Sequence, residues 1–141
     1  MEFVSFCPWD SRCRSLLELH PDLEALCVCD LSNTVLGTAY TNPEFEEISR
    51  LNAYTVKPLL LLAGAATAGK TNVTFLGDRF LVVEAEKEYL EAKCGKKSLF
   101  LRQTNALYLI GVAMETESKN KHASAREAMN AIQEYFESAD F

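Results

Sequence analysis

The segment Ala-Leu-Tyr-Leu-Ile-Gly-Val-Ala-Met, residues 106–114, is apolar almost throughout. A strand with one wet face alternates apolar and polar residues, so this one reads as a strand buried on both faces. Helices must therefore cover both sides of the sheet that contains it.

The rest of the chain supplies those layers. Trp9, Cys13, Leu16, Leu17 and His20 follow helical spacing between Pro8 and Pro21, which predicts a first helix. Residues 25–31 and 34–40 read as two strands around Ser32-Asn33, a hairpin. Asn42-Pro43-Glu44 starts a further helix, with a capping side chain, a proline in the first turn and acids near the positive end. It carries Phe45, Ile48 and Leu51 inward. A second helix is expected from Val56 to about Ala68, ending near Gly69. After Gly69 the period becomes extended, with strands at 72–76, 79–86, 88–93, 97–103 and 106–114 and a turn at Gly95-Lys96-Lys97. Apolar residues at Ala125, Ala128, Met129, Ile132 and Phe136 make an amphipathic C-terminal helix. The order α-β-β-α-α-β-β-β-β-β-α predicts an α/β fold of the α+β type, an antiparallel sheet packed between helices. No repeat or Pro/Gly linker interrupts it. At 141 residues and 48% hydrophobic content, one domain over 1–141 is expected.

Charge and cysteine usage narrow the function. Twenty acidic against fourteen basic residues give a net charge of −6, which argues against sequence-independent binding of DNA or RNA. The five cysteines, Cys7, Cys13, Cys27, Cys29 and Cys94, are odd in number and irregularly spaced. Met1–Asp10 shows no secretory pattern, so free thiols and a cytoplasmic location are expected. Cys27 and Cys29 share a strand face, but the only histidines are His20 and His122, so these thiols read as small core residues rather than zinc ligands. The longest apolar run, Leu59 to Ala66, is too short to span a bilayer.

The run Gly64-Ala-Ala-Thr-Ala-Gly69-Lys70-Thr71 matches the phosphate-cradling P-loop pattern in full. That mechanism needs a strand before the glycines and a helix opening at the lysine. Here the preceding residues suit a helix, and the residues after the run, Asn-Val-Thr-Phe-Leu-Gly-Asp-Arg-Phe-Leu-Val-Val, suit strands. The run is expected to be a loop. The sequon Asn72-Val73-Thr74 is inert without a secretory route. Neither histidine sits beside a nucleophile motif, so no enzyme, cofactor or metal is expected, and a binding module is.

Two surfaces could bind. Trp9 on the first helix and Tyr135, Phe136 and Phe141 at the chain's end could form a shallow aromatic groove, suited to preformed polyproline II peptides. Lys87, Lys93, Lys96, Lys97 and Arg102, with Glu88 and Glu91 among them, and then Lys119, Lys121 and Arg126, could form a cationic patch for an acidic partner or lipid headgroup.

Read as a whole, the chain resembles the profilin family. The resemblance is carried by NVTFLGDRFLVV, by YLEAKCGKKSLFLRQTNALYLIGV with its Lys-rich turn and its strand into Gly-Val, and by AREAMNAIQEYFESADF. It implies a seven-stranded antiparallel sheet with two helices on one side and the terminal helices on the other, and no catalysis. It implies binding to monomeric actin, to proline-rich segments of actin regulators and to phosphoinositide headgroups. Carried over by position, the poly-proline groove uses Trp9, Tyr135, Phe136 and Phe141, and the actin face uses Arg79, Lys93, Lys96, Lys121 and Arg126. Arg12 and Leu36 stand where the family supplies aromatic rings, so the resemblance implies weak poly-proline binding. Glu84 and Ala131 also depart from the family's actin face. A roadblock or longin-type GTPase-regulating scaffold is the alternative reading of the same layers.

Overall fold

Cys13, Leu16 and Leu17 recur at helical spacing, and in the computed structural model they are the buried stripe of α1, Pro8–Leu19. The structure describes residues 8–62, 65–116 and 121–141; Cys7, Gly64 and Lys119 lie outside them. Strands β1 (Ala25–Asp30) and β2 (Val35–Tyr40) form the expected hairpin. Asn33 takes a left-handed conformation in its turn, and the Asp30 carboxylate accepts from the amides of Ser32 and Thr34.

The next two segments differ in detail from expectation. Asn42 caps as predicted, accepting from the Glu44 amide, but Pro43–Arg50 winds as a 3₁₀ segment with a kink at Phe45. Three residues per turn bring Phe45 and Ile48 onto one line, and both are buried. Helix α2 spans Ala53–Leu60 rather than 56–68. Its start is set by a capping box in which Asn52 accepts from the amides of Tyr54 and Thr55 while the Thr55 hydroxyl accepts from the Asn52 amide. Beyond it the chain turns, with Leu61 exposed to solvent.

Strands β3 (Asn72–Phe75), β4 (Asp78–Glu86), β5 (Tyr89–Cys94), β6 (Lys97–Gln103) and β7 (Leu107–Met114) lie within a residue or two of the predicted bounds. Helix α3 runs His122–Ser138 and buries all five residues of the predicted stripe. The seven strands form one antiparallel sheet ordered β2-β1-β7-β6-β5-β4-β3. The apolar β7 lies inside it, between β1 and β6.

Each face has its own core. The 3₁₀ segment and α2 cover one face, with Phe45, Ile48, Val56 and Leu59 against Phe80, Val82, Leu99 and Ile110. Helices α1 and α3 cover the other, with Leu16, Leu17, Met129 and Phe136 against Leu26, Val28, Phe100 and Leu109. Two glycines allow the close approach of this second layer. A Cβ at Gly37 would lie 2.5 Å from Trp9 Cβ, and one at Gly111 would run into the Met129 sulfur. Cys27 and Cys29 are fully buried with sulfurs 3.7 Å apart; their mutual contact and burial push the Cys27 thiol well up, which suits small core residues.

Candidate interaction surfaces

The second helical layer does not reach across the whole sheet. Helix α3 packs on β6 and β7 and α1 on β1 and β2, and among the described residues neither helix packs closely over β3 or β4 on that side. Alternation sends Phe80 and Val82 into the core beneath α2, so Arg79 and Leu81 point to the open side. Register sets Arg79 opposite Thr74 and Leu81 opposite Lys93. Between Val82 and Glu84 the β4–β5 register shifts, and the extra residue, Val83, is 38% exposed. On the open side Leu81, 39% exposed, thus lies opposite Lys93 and two residues from Arg79. Sequence reasoning missed Leu81, because Phe80-Leu81-Val82-Val83 is apolar without alternation and does not show which side chain faces outward.

Where α3 meets this open face, it is fastened by a buried carboxylate. Glu91 on β5 is 0% exposed and accepts from Arg126 Nε and Nη2 at 2.8–3.0 Å and from Arg102 Nη2 at 3.1 Å. The His122 Nε2 lies 3.1 Å from its Oε1, and Nδ1 of the same ring lies 2.8 Å from Ser98 Oγ. Burial pushes the Glu91 carboxyl up, but the hydrogen bonds from Arg126, Arg102 and His122 outweigh it and hold it below the ordinary range. The bond to Glu91 raises Arg126 in turn. Arg102 also lies over the Tyr89 ring, 4.8 Å from its centroid. A cleft of about 560 Å³ opens beside this cluster, lined by Glu84, Tyr89, Arg102, Arg126 and Asn130 among others.

The basic residues predicted from the sequence therefore do not form one free patch. Lys93 pairs with Glu115 at 2.9 Å, Arg126 with Glu91, and Lys121 lies 3.9 Å from Glu24. Lys97 leaves the group altogether: it pairs with Asp78 at 2.6 Å and lies over Phe45, toward the opposite layer. Arg79 and Lys96 are exposed and make no ion pair among the described residues. Lys96 rides on the β5–β6 turn, where Gly95 supplies a positive φ of 58°.

The aromatic residues do come together, at the other end of α3. Phe136 is fully buried and touches three rings. Trp9 stacks on it at 5.9 Å between centroids, Tyr135 meets it at 5.0 Å and Phe141 at 6.1 Å. Trp9 and Phe141 meet edge to face at 5.3 Å. Phe141 is held by its carbonyl, which accepts from the Ala106 amide and the Thr104 hydroxyl. Phe136 is thus the support beneath the corner, and Trp9, Phe141 and the 43% exposed Tyr135 are its accessible rings. Leu36 packs against the same core.

In the P-loop-like run the amides of the described residues are largely engaged within the chain. The amides of Ala65 and Ala66 donate to Leu62, that of Thr67 to the Thr71 hydroxyl, that of Gly69 to Val82, and those of Lys70 and Thr71 to Thr67. Strand β3 comes directly after it, where that mechanism needs a helix.

A family model described as Profilin matches residues 8–141. No curated protein matches the chain in sequence. Among solved structures, profilin IB of Acanthamoeba castellanii is similar with a TM-score of 0.75 at 13% identity, covering 94% of this chain and 99% of that one. Profilin II of the same organism is similar with a TM-score of 0.74 at 16% identity and the same coverage. The LokiProfilin2–rabbit actin complex is similar with a TM-score of 0.63 at 16% identity, over 89% of this chain and 90% of that one. At such identities the structural likeness speaks to the fold.

Proposed function

The chain belongs to the profilin family, and on that premise we propose that it binds actin monomers and regulates actin polymerisation. The observation that carries this is the sheet face left open beside α3, where exposed Leu81 lies opposite Lys93 and two residues from Arg79. An exposed apolar side chain set among cations is a contact that a protein partner covers. A profilin of similar fold is found in complex with rabbit actin. Arg79, Lys93, Lys96, Lys121 and Arg126 are the proposed contacts, with Leu81 added as the apolar anchor. The cationic ones guide encounter with an acidic partner.

The Trp9, Tyr135 and Phe141 corner, supported by Phe136, is proposed as a weak site for proline-rich segments, and the basic residues as a site for phosphoinositide headgroups. The protein acts without catalysis or cofactor, as one domain, in the cytoplasm. Among the described residues no helix is long and apolar enough to cross a membrane. The roadblock or longin-type alternative gives no account of the aromatic corner.

Actin co-sedimentation tests the main reading. The protein should lower polymer mass in proportion to its concentration, and Leu81→Asp should abolish the effect without unfolding the chain. Polymer mass that ignores the wild-type protein would overturn the proposal.

A further inference from the structure

At the aromatic corner, Pro8, Trp9, Arg12 and Phe141 line a pocket of about 240 Å³. Arg12 lies over the Trp9 ring, with its guanidinium carbon 5.1 Å from the centroid. It is exposed, and no carboxylate lies within ion-pair distance of it among the described residues. The nearest acid in sequence, Asp10, has an oxygen engaged by the Thr38 amide at 2.8 Å. Among the described residues no acidic side chain lines the pocket. A guanidinium laid on an aromatic face keeps its N–H edge free, in a fork that matches a carboxylate. It also covers ring surface on which a proline would otherwise stack.

From this arrangement we propose that the pocket selects proline-rich segments that carry an aspartate or glutamate beside the prolines, with Arg12 as the specificity-determining residue. The inference rests on the proposal that this corner binds proline-rich segments, and it names which of them. The prolines pack against Trp9 and Phe141, and the neighbouring carboxylate takes the outward N–H groups of Arg12. An acidic preference runs against the net charge of −6, so it must come from a local cation. Charge pairs at exposed sites are modest, and the expected preference is about two- to fivefold.

Trp9 is the only tryptophan, so its emission reports on the pocket. Three peptides are titrated: a proline decamer, the same decamer preceded by two aspartates, and the same preceded by two lysines, with calorimetry in parallel. The acidic peptide should bind most tightly and the basic one least, with the differences shrinking at high salt. Arg12→Glu should invert the order, and Arg12→Tyr should abolish it while tightening the plain decamer. Equal affinities for all three peptides, or an order that Arg12→Glu leaves unchanged, would overturn the role of Arg12 alone. Absence of binding by every peptide, in emission and in heat, would overturn the poly-proline reading and this inference with it.

Discussion

Glu91 is the residue on which most depends. A carboxylate with no solvent contact is tolerated only when its lone pairs are taken, and here two arginines and a histidine take them. Its carboxyl sits below the ordinary value of 4.5. A depressed carboxyl contributes stability that is fully present above its unfolded value and is lost as pH falls through its folded one. Urea midpoints should therefore fall as pH drops below about 4.5, and Glu91→Gln should flatten that part of the profile. At neutral pH the same variant should lose about 3 kcal/mol, the low end for a broken buried pair, because Arg126, at 39% exposure, can turn to solvent. An unchanged acid profile would show that another carboxylate governs it. Gly37 is a second sensitive position. Alanine there sets a Cβ 2.5 Å from Trp9 Cβ and 2.6 Å from the Trp9 carbonyl carbon, and backbone cannot yield as a flexible side chain would. Gly37→Ala should cost about 1–3 kcal/mol and shift Trp9 emission, a change visible without any ligand.

At the scale of elements, the strands and the two terminal helices were legible because periodicity alone specifies them. The stripe at Ala125, Ala128, Met129, Ile132 and Phe136 is buried as its spacing implies, and β7, apolar throughout, lies inside the sheet. The middle helices were less legible. The 3₁₀ winding of Pro43–Arg50 obeys the i, i+3 burial of Phe45 and Ile48, a spacing that α-helix shares. For α2 the run of leucines masks Asn52 and Thr55, whose reciprocal cap sets the start. Asn52→Ala should accordingly cost about 1 kcal/mol in thermal or denaturant unfolding, whereas a value near zero would mean that tertiary packing alone holds this turn. Lys70→Ala should change stability by less than about 0.5 kcal/mol and leave partner binding intact. Nucleotide binding that this variant abolished would contradict the internal use of the loop's amides.

On the scale of the whole molecule, the aromatic corner was legible in part and the cationic face much less so. The rings Trp9, Phe136 and Phe141 lie on or beside the two terminal helices and meet there, but charge partners come from distant segments: Glu115 for Lys93, Glu24 for Lys121, Glu91 for Arg126. A count of lysines cannot reveal them. This changes how the actin face should be probed. Arg126→Glu would set a second carboxylate against buried Glu91 and damage the fold, so it cannot report on binding. Arg79→Glu with Lys96→Glu should instead slow association with actin and leave stability within about 0.5 kcal/mol. The two proposed sites also sit toward opposite ends of α3. Arg126 and Phe136 are about 15 Å apart along its axis at 1.5 Å per residue. Coupling across that distance needs an element with two arrangements that both ligands bias. Helix α3 offers no such freedom, since its inner stripe is locked into the core by Ala125, Ala128, Met129, Ile132 and Phe136. A saturating proline-rich peptide should therefore leave actin affinity unchanged within about twofold, and actin should leave peptide affinity equally unchanged, as reciprocity demands. Labelled-peptide anisotropy with and without actin measures this directly. A shift of about tenfold or more, equivalent to about 1.4 kcal/mol of coupling, would mean that the helix moves as a switch.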